Sequence, residues 1–183
     1  MRGKTAQKYA LFYCGDGSSD DDTSEPTKQI DHVSKMLYDF GWSVSHFTAH
    51  ESRGDRQRIL DSFRIGAIDA LVAMKCLDEG IDVPDCRTAF ILASSRNPRQ
   101  FIQRRGRILR RSEGKLHATV HDFLPLLPSN GMGSDSAERS LVLNELKRVA
   151  EFASLSLNPT EAIDALRPTL ERYDLYHHVL AAE

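Results

Sequence analysis

The sequence predicts an α/β fold, a doubly wound and mainly parallel sheet with helices on both faces, followed by a helical appendage. Three observations carry this. Short apolar runs alternate with longer amphipathic ones through residue 123. Several short runs, such as ALVAM at 70–74, are apolar at every position, as strands buried on both faces are. Beyond Phe123 the composition turns to a Pro/Gly/Ser-rich stretch and then to helical patterns alone.

KYALFYC (8–14) is short, aromatic and closed by Gly15, which marks a buried strand. GDGSSDDDTSEPT (15–27) has no core-forming residues and reads as a polar, acidic loop. KQIDHVSKMLYDF (28–40) places Ile30, Val33, Leu37 and Phe40 at helical spacing and stops at Gly41. WSVSHF (42–47) alternates as a strand does, and DRQRILDSFRIG (55–66) is a helix with Ile59, Leu60 and Phe63 inward and Gly66 at its end. IDALVAM (68–74), TAFILA (88–93) and HATVHDF (117–123) supply three more strands, with a helix opened by Pro98 over 98–111. Right-handed crossovers then cover both faces of the sheet. Ligands in such sheets bind at the carboxyl ends of strands, so the loops after residues 14, 47, 74 and 93 are expected to carry function.

Three segments are expected: a domain over 1–123, a linker over 124–136 (LPLLPSNGMGSDS) and a helical extension over 137–183. In the extension Val142, Leu146, Val149 and Ala153 repeat at i, i+4, i+7 and i+11, the stripe of a long amphipathic helix. Asn158-Pro159 starts a further helical stretch that Pro168 divides in two.

Composition narrows the partners. With 24 Lys and Arg against 26 Asp and Glu, the net charge of −2 argues against indiscriminate binding to polyanions. Three cysteines without C-x-x-C spacing argue against a disulfide framework or a zinc site, and no metal ligands are assigned. That cysteine usage fits a reducing, cytoplasmic setting. No apolar run approaches the roughly 18–20 residues that cross a bilayer, so no membrane partner is expected. The first residues, MRGKTAQKYALFYCGDG, have too short an apolar run for a secretory signal.

Against this even charge, FIQRRGRILRR (101–111) places five arginines between Arg104 and Arg111. On a helix Gln103, Arg107 and Arg110 fall at i, i+4 and i+7, one stripe, while Phe101, Ile102, Ile108 and Leu109 can anchor the segment to a sheet. Arginine suits phosphate because its planar fork grips two oxygens and stays charged when desolvated. Composition alone leaves a solvated basic face open as the alternative.

The residues also carry a resemblance. QRRGRILR (103–110) matches the Q-R-x-G-R-x-x-R pattern of motif VI in superfamily 2 helicases. AMKCLDEGIDVP (73–84) resembles their motif V, with its core at Gly80-Ile81-Asp82. YALFYC (9–14) sits where the first strand and motif IV belong, and residues 53–73 look like the helix and strand leading into motif V. Together these cover about residues 8–123 and resemble the second RecA-like domain of the restriction-translocase and DNA-repair branches.

The resemblance implies a motor that hydrolyses ATP, with Mg2+, in a cleft between two RecA-like domains and steps along nucleic acid, DNA more than RNA. By resemblance Arg107 and Arg110 are the arginine fingers that reach the γ-phosphate. Gln103, Gly80 and Asp82 bind at the nucleotide cleft. Lys75 and Cys76 are the expected nucleic-acid contacts, because the Ser or Thr usual in motif V is replaced by Met74, and Tyr13 is a candidate for stacking on a base. No G-x-x-x-x-G-K-[ST] loop and no D-E-x-[DH] box occurs, so the N-terminal RecA-like ATPase domain is expected as a partner in cis or in trans. The chain alone is expected to be inactive. The alternative is a nucleic-acid-binding or assembly module that keeps the fold without the motor.

Overall fold

A computed structural model describes residues 9–15, 29–48, 50–74, 83, 85–92, 110, 112–124 and 136–175. The chain divides into two compact units, Met1–Phe123 and Leu124–Glu183.

The first unit holds β1 (Ala10–Cys14), α1 (Gln29–Asp39), β2 (Val44–Phe47), α2 (Arg53–Arg64), β3 (Ala70–Met74), β4 (Thr88–Ile91) and β5 (Thr119–Asp122). The five strands form one sheet in the order β2-β3-β1-β4-β5, and every pairing is parallel. The doubly wound parallel sheet is therefore present. Its central strand β1 aligns Ala10 with Ala70 on one side and with Thr88 on the other.

The strand pattern fixes two buried faces. Ala10, Phe12, Cys14, Ala70, Val72 and Met74 cluster with Ile30, Val33 and Leu37 of α1. The intervening Leu11, Tyr13, Leu71 and Ala73 point the other way and are just as buried. Right-handed connections put α2 on that opposite face, where the fully buried Phe63 meets the Tyr9 ring edge-on at 5.7 Å. Burial of a ring of that size stabilises the fold by about 1.5–3 kcal/mol.

Both helices stop where glycine was expected to stop them. After α1, Trp42 N donates to Leu37 O and Gly41 N to Tyr38 O, with Gly41 at φ +81°. After α2, Ala67 N donates to Ser62 O and Gly66 N to Phe63 O. This paired 6→1 and 5→2 pattern satisfies the last free carbonyls and needs a left-handed residue at its centre. α2 starts two residues earlier than its apolar spacing predicts, because Ser52 caps it and accepts a bond from Asp55 N at 3.2 Å. The predicted helix over 98–111 lies outside the described residues, apart from Arg110.

The second unit holds α3 (Ser136–Ser154), α4 (Pro159–Asp164) and α5 (Arg167–Tyr173). Val142 and Leu146 of the predicted stripe are buried, packed with Leu166, Leu170, Tyr173 and Leu175 in a separate core. Pro168 sits in the first turn of α5, where a missing N–H costs nothing, so the chain breaks just ahead of it. Arg139 donates to Asp174 O at 2.9 Å and ties α3 to the end of α5. Among the described residues, no helix is long and apolar enough to cross a membrane.

Candidate functional site

The strand order creates one place where connections diverge. The chain leaves β1 toward β2 on one side of the sheet and leaves β4 toward β5 on the other, so β1 and β4 flank a switch point. Its floor is well bonded. Leu92 N donates to Tyr13 O at 3.0 Å, and Gly15 N donates to Gln29 Oε1 at 2.8 Å. The segments carrying the motif residues follow Met74 of β3 and Leu92 after β4, on either side of β1.

Of the residues singled out from the sequence, Tyr13 and Arg110 are described. Arg107, Gln103, Gly80, Asp82, Lys75 and Cys76 lie outside the described residues. Tyr13 is 2% exposed. It sits on the central strand with Ala73 beside it on β3 and Ile91 on β4, so its ring is core and a base cannot stack on it as it stands. Met74, at the position where the family usually has Ser or Thr, is also a core residue and packs under α1.

Arg110 is exposed, and its carbonyl accepts a 2.9 Å bond from Lys115 Nζ. A tight turn makes this reach possible: Lys115 N donates to Ser112 O at 3.1 Å, with Gly114 at φ +71°. Lys115 itself is 8% exposed. Burial lowers its pKa, while the neighbouring Cys86 and Asp85 pull it back up and Arg87 opposes them. Those neighbours immediately precede β4. The described chain leaves β4 at Leu92 and resumes at Arg110, ahead of β5.

The Asp85–Arg87 turn is firmly held. Cys86 N donates to Val83 O at 3.1 Å, Arg87 N to Tyr9 O at 2.8 Å, and Thr119 N to Arg87 O at 2.9 Å. Arg64 Nε meets Asp85 Oδ2 at 3.3 Å, and the Arg87 guanidinium lies 4.9 Å from the Tyr9 ring centroid. Cys86 is fully buried and its thiol is pushed up to about 12 by desolvation, as is that of Cys14. Neither is a thiolate at neutral pH, so both act as small apolar residues.

Sequence reasoning missed Lys115. In RSEGKLH it looks like the solvated lysine of a polar turn, and only the fold shows the side chain turned inward. It also missed the loop before α2. There Thr48, 5% exposed, donates from its N–H to Glu51 Oε2 at 2.6 Å and takes a bond from His50 N at 3.1 Å on its hydroxyl. Among the described residues, no three His, Cys, Asp or Glu side chains converge on a point that could hold a metal ion.

An all-parallel sheet in this order, with an arginine segment after β4 and a Gly-Ile-Asp segment after β3, defines a RecA-like domain of the helicase type. Residues 22–112 match the model of the helicase conserved C-terminal domain, and the chain carries a domain of this family. Dicer-like protein 2 of Pyricularia oryzae is 46% identical over 103 residues, covering 56% of this chain and 7% of that protein. Dicer homologues of Oryza sativa subsp. japonica, named as endoribonucleases, match at lower identity. The DNA 3'-5' translocase XPB2 of Sulfurisphaera tokodaii is 41% identical over 66 residues, 36% of this chain and 15% of that protein. Among solved structures, the RNA-helicase Prp28 from Chaetomium thermophilum bound to ADP aligns with a TM-score of 0.58 at 19% identity. That alignment spans 86% of this chain and 33% of the other, and establishes likeness of fold. The chain thus spans a small part of the length of these relatives.

Proposed function

We propose that this chain supplies the second RecA-like half of an ATP-driven motor on nucleic acid, completed by an N-terminal RecA-like ATPase domain in cis or in trans. The single observation that carries the reading is the joint occurrence of AMKCLDEGIDVP and QRRGRILR on segments leaving the two strands that flank β1. Either pattern alone is weak; both on this topology are not.

In this reading Arg107 and Arg110 reach across the cleft to the γ-phosphate and offset the charge that develops in the transition state. The exposure of Arg110 fits an anionic ligand brought by another domain. Mg2+, held by the partner domain, neutralises the phosphate oxygens when bound. Gln103 orients at the cleft, Gly80 lets the main chain approach the nucleotide, and Asp82 accepts a hydrogen bond there. Lys75 and Cys76, just past the end of β3, meet the nucleic-acid backbone. Tyr13 is not part of the proposal, because it is buried.

DNA is the leading polynucleotide, supported by the match to a protein named as a DNA translocase. RNA is the second reading, favoured by the match to Dicer homologues named as endoribonucleases. The test is nucleic-acid-stimulated ATP hydrolysis by this chain together with its ATPase domain, with duplex DNA and duplex RNA compared as activators. Arg107→Ala and Arg110→Ala should each lower turnover by about 10³-fold or more while the fold persists. Near-normal turnover in either variant overturns its finger assignment. Tight, salt-sensitive binding without any turnover would favour the non-catalytic module instead.

A further inference from the structure

We infer that Lys115 is a positioning residue that holds the main chain of Arg110 to the turn ahead of β5 and so sets the arginine segment for the phosphate. The inference rests on the finger reading of Arg110 given above.

Three observations carry it. First, Lys115 is a long cation folded inward, 8% exposed, where lysines ordinarily extend their heads into water. Second, its ammonium donates to the carbonyl of Arg110 at 2.9 Å, a main-chain contact five residues back along the chain. A charged donor holds a carbonyl more strongly than a neutral one. Third, the turn that carries Lys115 is itself held, with Lys115 N donating to Ser112 O at 3.1 Å and Thr119 N, at the start of β5, donating to Arg87 O at 2.9 Å. The clamp therefore has a rigid end and a working end. The rigid end is the turn that enters β5, and the working end is the exit of the arginine segment.

The consequence is geometric. Pinning the carbonyl of Arg110 fixes its Cα, so the exposed side chain extends from a fixed pivot. A finger that must meet a phosphate within a fraction of an ångström gains rate from such a pivot, not ground-state affinity.

The experiment is a double-mutant cycle in the complete protein, containing this chain and its ATPase domain, with polynucleotide-stimulated ATP hydrolysis as the readout. Lys115→Met keeps the stem and removes the ammonium. It should lower kcat about tenfold and leave KM for ATP within about twofold, and Lys115→Arg should recover part of the loss. Added to Arg110→Ala, Lys115→Met should cause no further loss, because its effect runs through Arg110. If Lys115→Met does not fold, Lys115→Gln, a shorter neutral donor, takes its place in the same cycle. Unchanged kcat in the Lys115 variant, or losses that multiply in the double variant, overturn the inference while leaving the finger reading intact. Near-normal turnover in Arg110→Ala overturns the finger reading, and the inference with it.

Discussion

The imidazole of His121 lies flat on the ring of Phe90, with centroids 4.7 Å apart and planes 13° apart, and Phe90 in turn stacks on Phe12 at 4.5 Å. Trp42 meets Phe12 edge-on at 6.1 Å and completes the row. The rings stand on β5, β4 and β1 in register, Phe90 opposite both Phe12 and His121. β5 is half-exposed and pairs with β4, so this stack is a main side-chain tie between the edge strand and the centre.

Phe90→Ala is therefore expected to cost about 3 kcal/mol, the usual penalty for truncating a packed aromatic. Urea denaturation measures the loss. Amide exchange should show Thr119–Asp122 losing protection before β1 does, whereas uniform loss across all strands would contradict the stack as a local tie.

Gly114 makes a cleaner backbone test. A Cβ there meets nothing within 4 Å, so the φ of +71° is the sole obstacle to a side chain. Gly114→Ala should destabilise the first unit by about 1–2 kcal/mol, and Gly114→Asn by less, since Asn tolerates the left-handed region. Equal melting temperatures for both variants and the parent would show that the turn relaxes.

Ser52→Ala removes the side-chain cap of α2 and is expected to cost about 1 kcal/mol. Ser52→Gly should cost only a few tenths. Thermal melts of the two variants give the comparison directly.

The buried thiols predict an alkaline limit. Burial pushes Cys14 and Cys86 up to about 12, against 9.0 in the open chain. Between those values the folded chain holds protons that the unfolded chain gives up. Their contribution to stability is therefore complete below about pH 9 and falls as pH rises toward 12. Lys115, whose pKa burial lowers, acts in the opposite sense. Cys14→Ala, which leaves Lys115 untouched, should show a smaller drop in melting temperature between pH 8 and pH 10.5 than the parent. Iodoacetamide at pH 8 should alkylate neither Cys14 nor Cys86 until denaturant is added, as peptide mass mapping would show.

Much of the sheet was legible because its signals are local. ALFYC and ALVAM are apolar throughout, and Gly41 and Gly66 announce helix ends whose carbonyls need a left-handed residue. Boundaries moved where a polar side chain outweighed apolar spacing, as Ser52 does for α2. Tyr13 and Lys115 show the harder limit. Each carries a polar head that suits a surface role; the pairing of strands distant in sequence buries Tyr13, and a turn folded back on Arg110 carries Lys115 inward. The motif residues were found by their resemblance to helicase motifs V and VI, which is a property of the sequence, so their identification did not depend on the sheet.

Ala10–Cys14 is the first strand of the sheet to be made and the middle strand of the finished structure. Its partners begin at Ala70 and Thr88, so on a ribosome the apolar ALFYC must wait for both to emerge. At about 5–20 residues per second that is a wait of several seconds with two unpaired edges. The segment that organises the sheet is thus the one most exposed to association with other chains during synthesis. Aggregation in cells should respond to substitutions in β1 more sharply than equilibrium stability does.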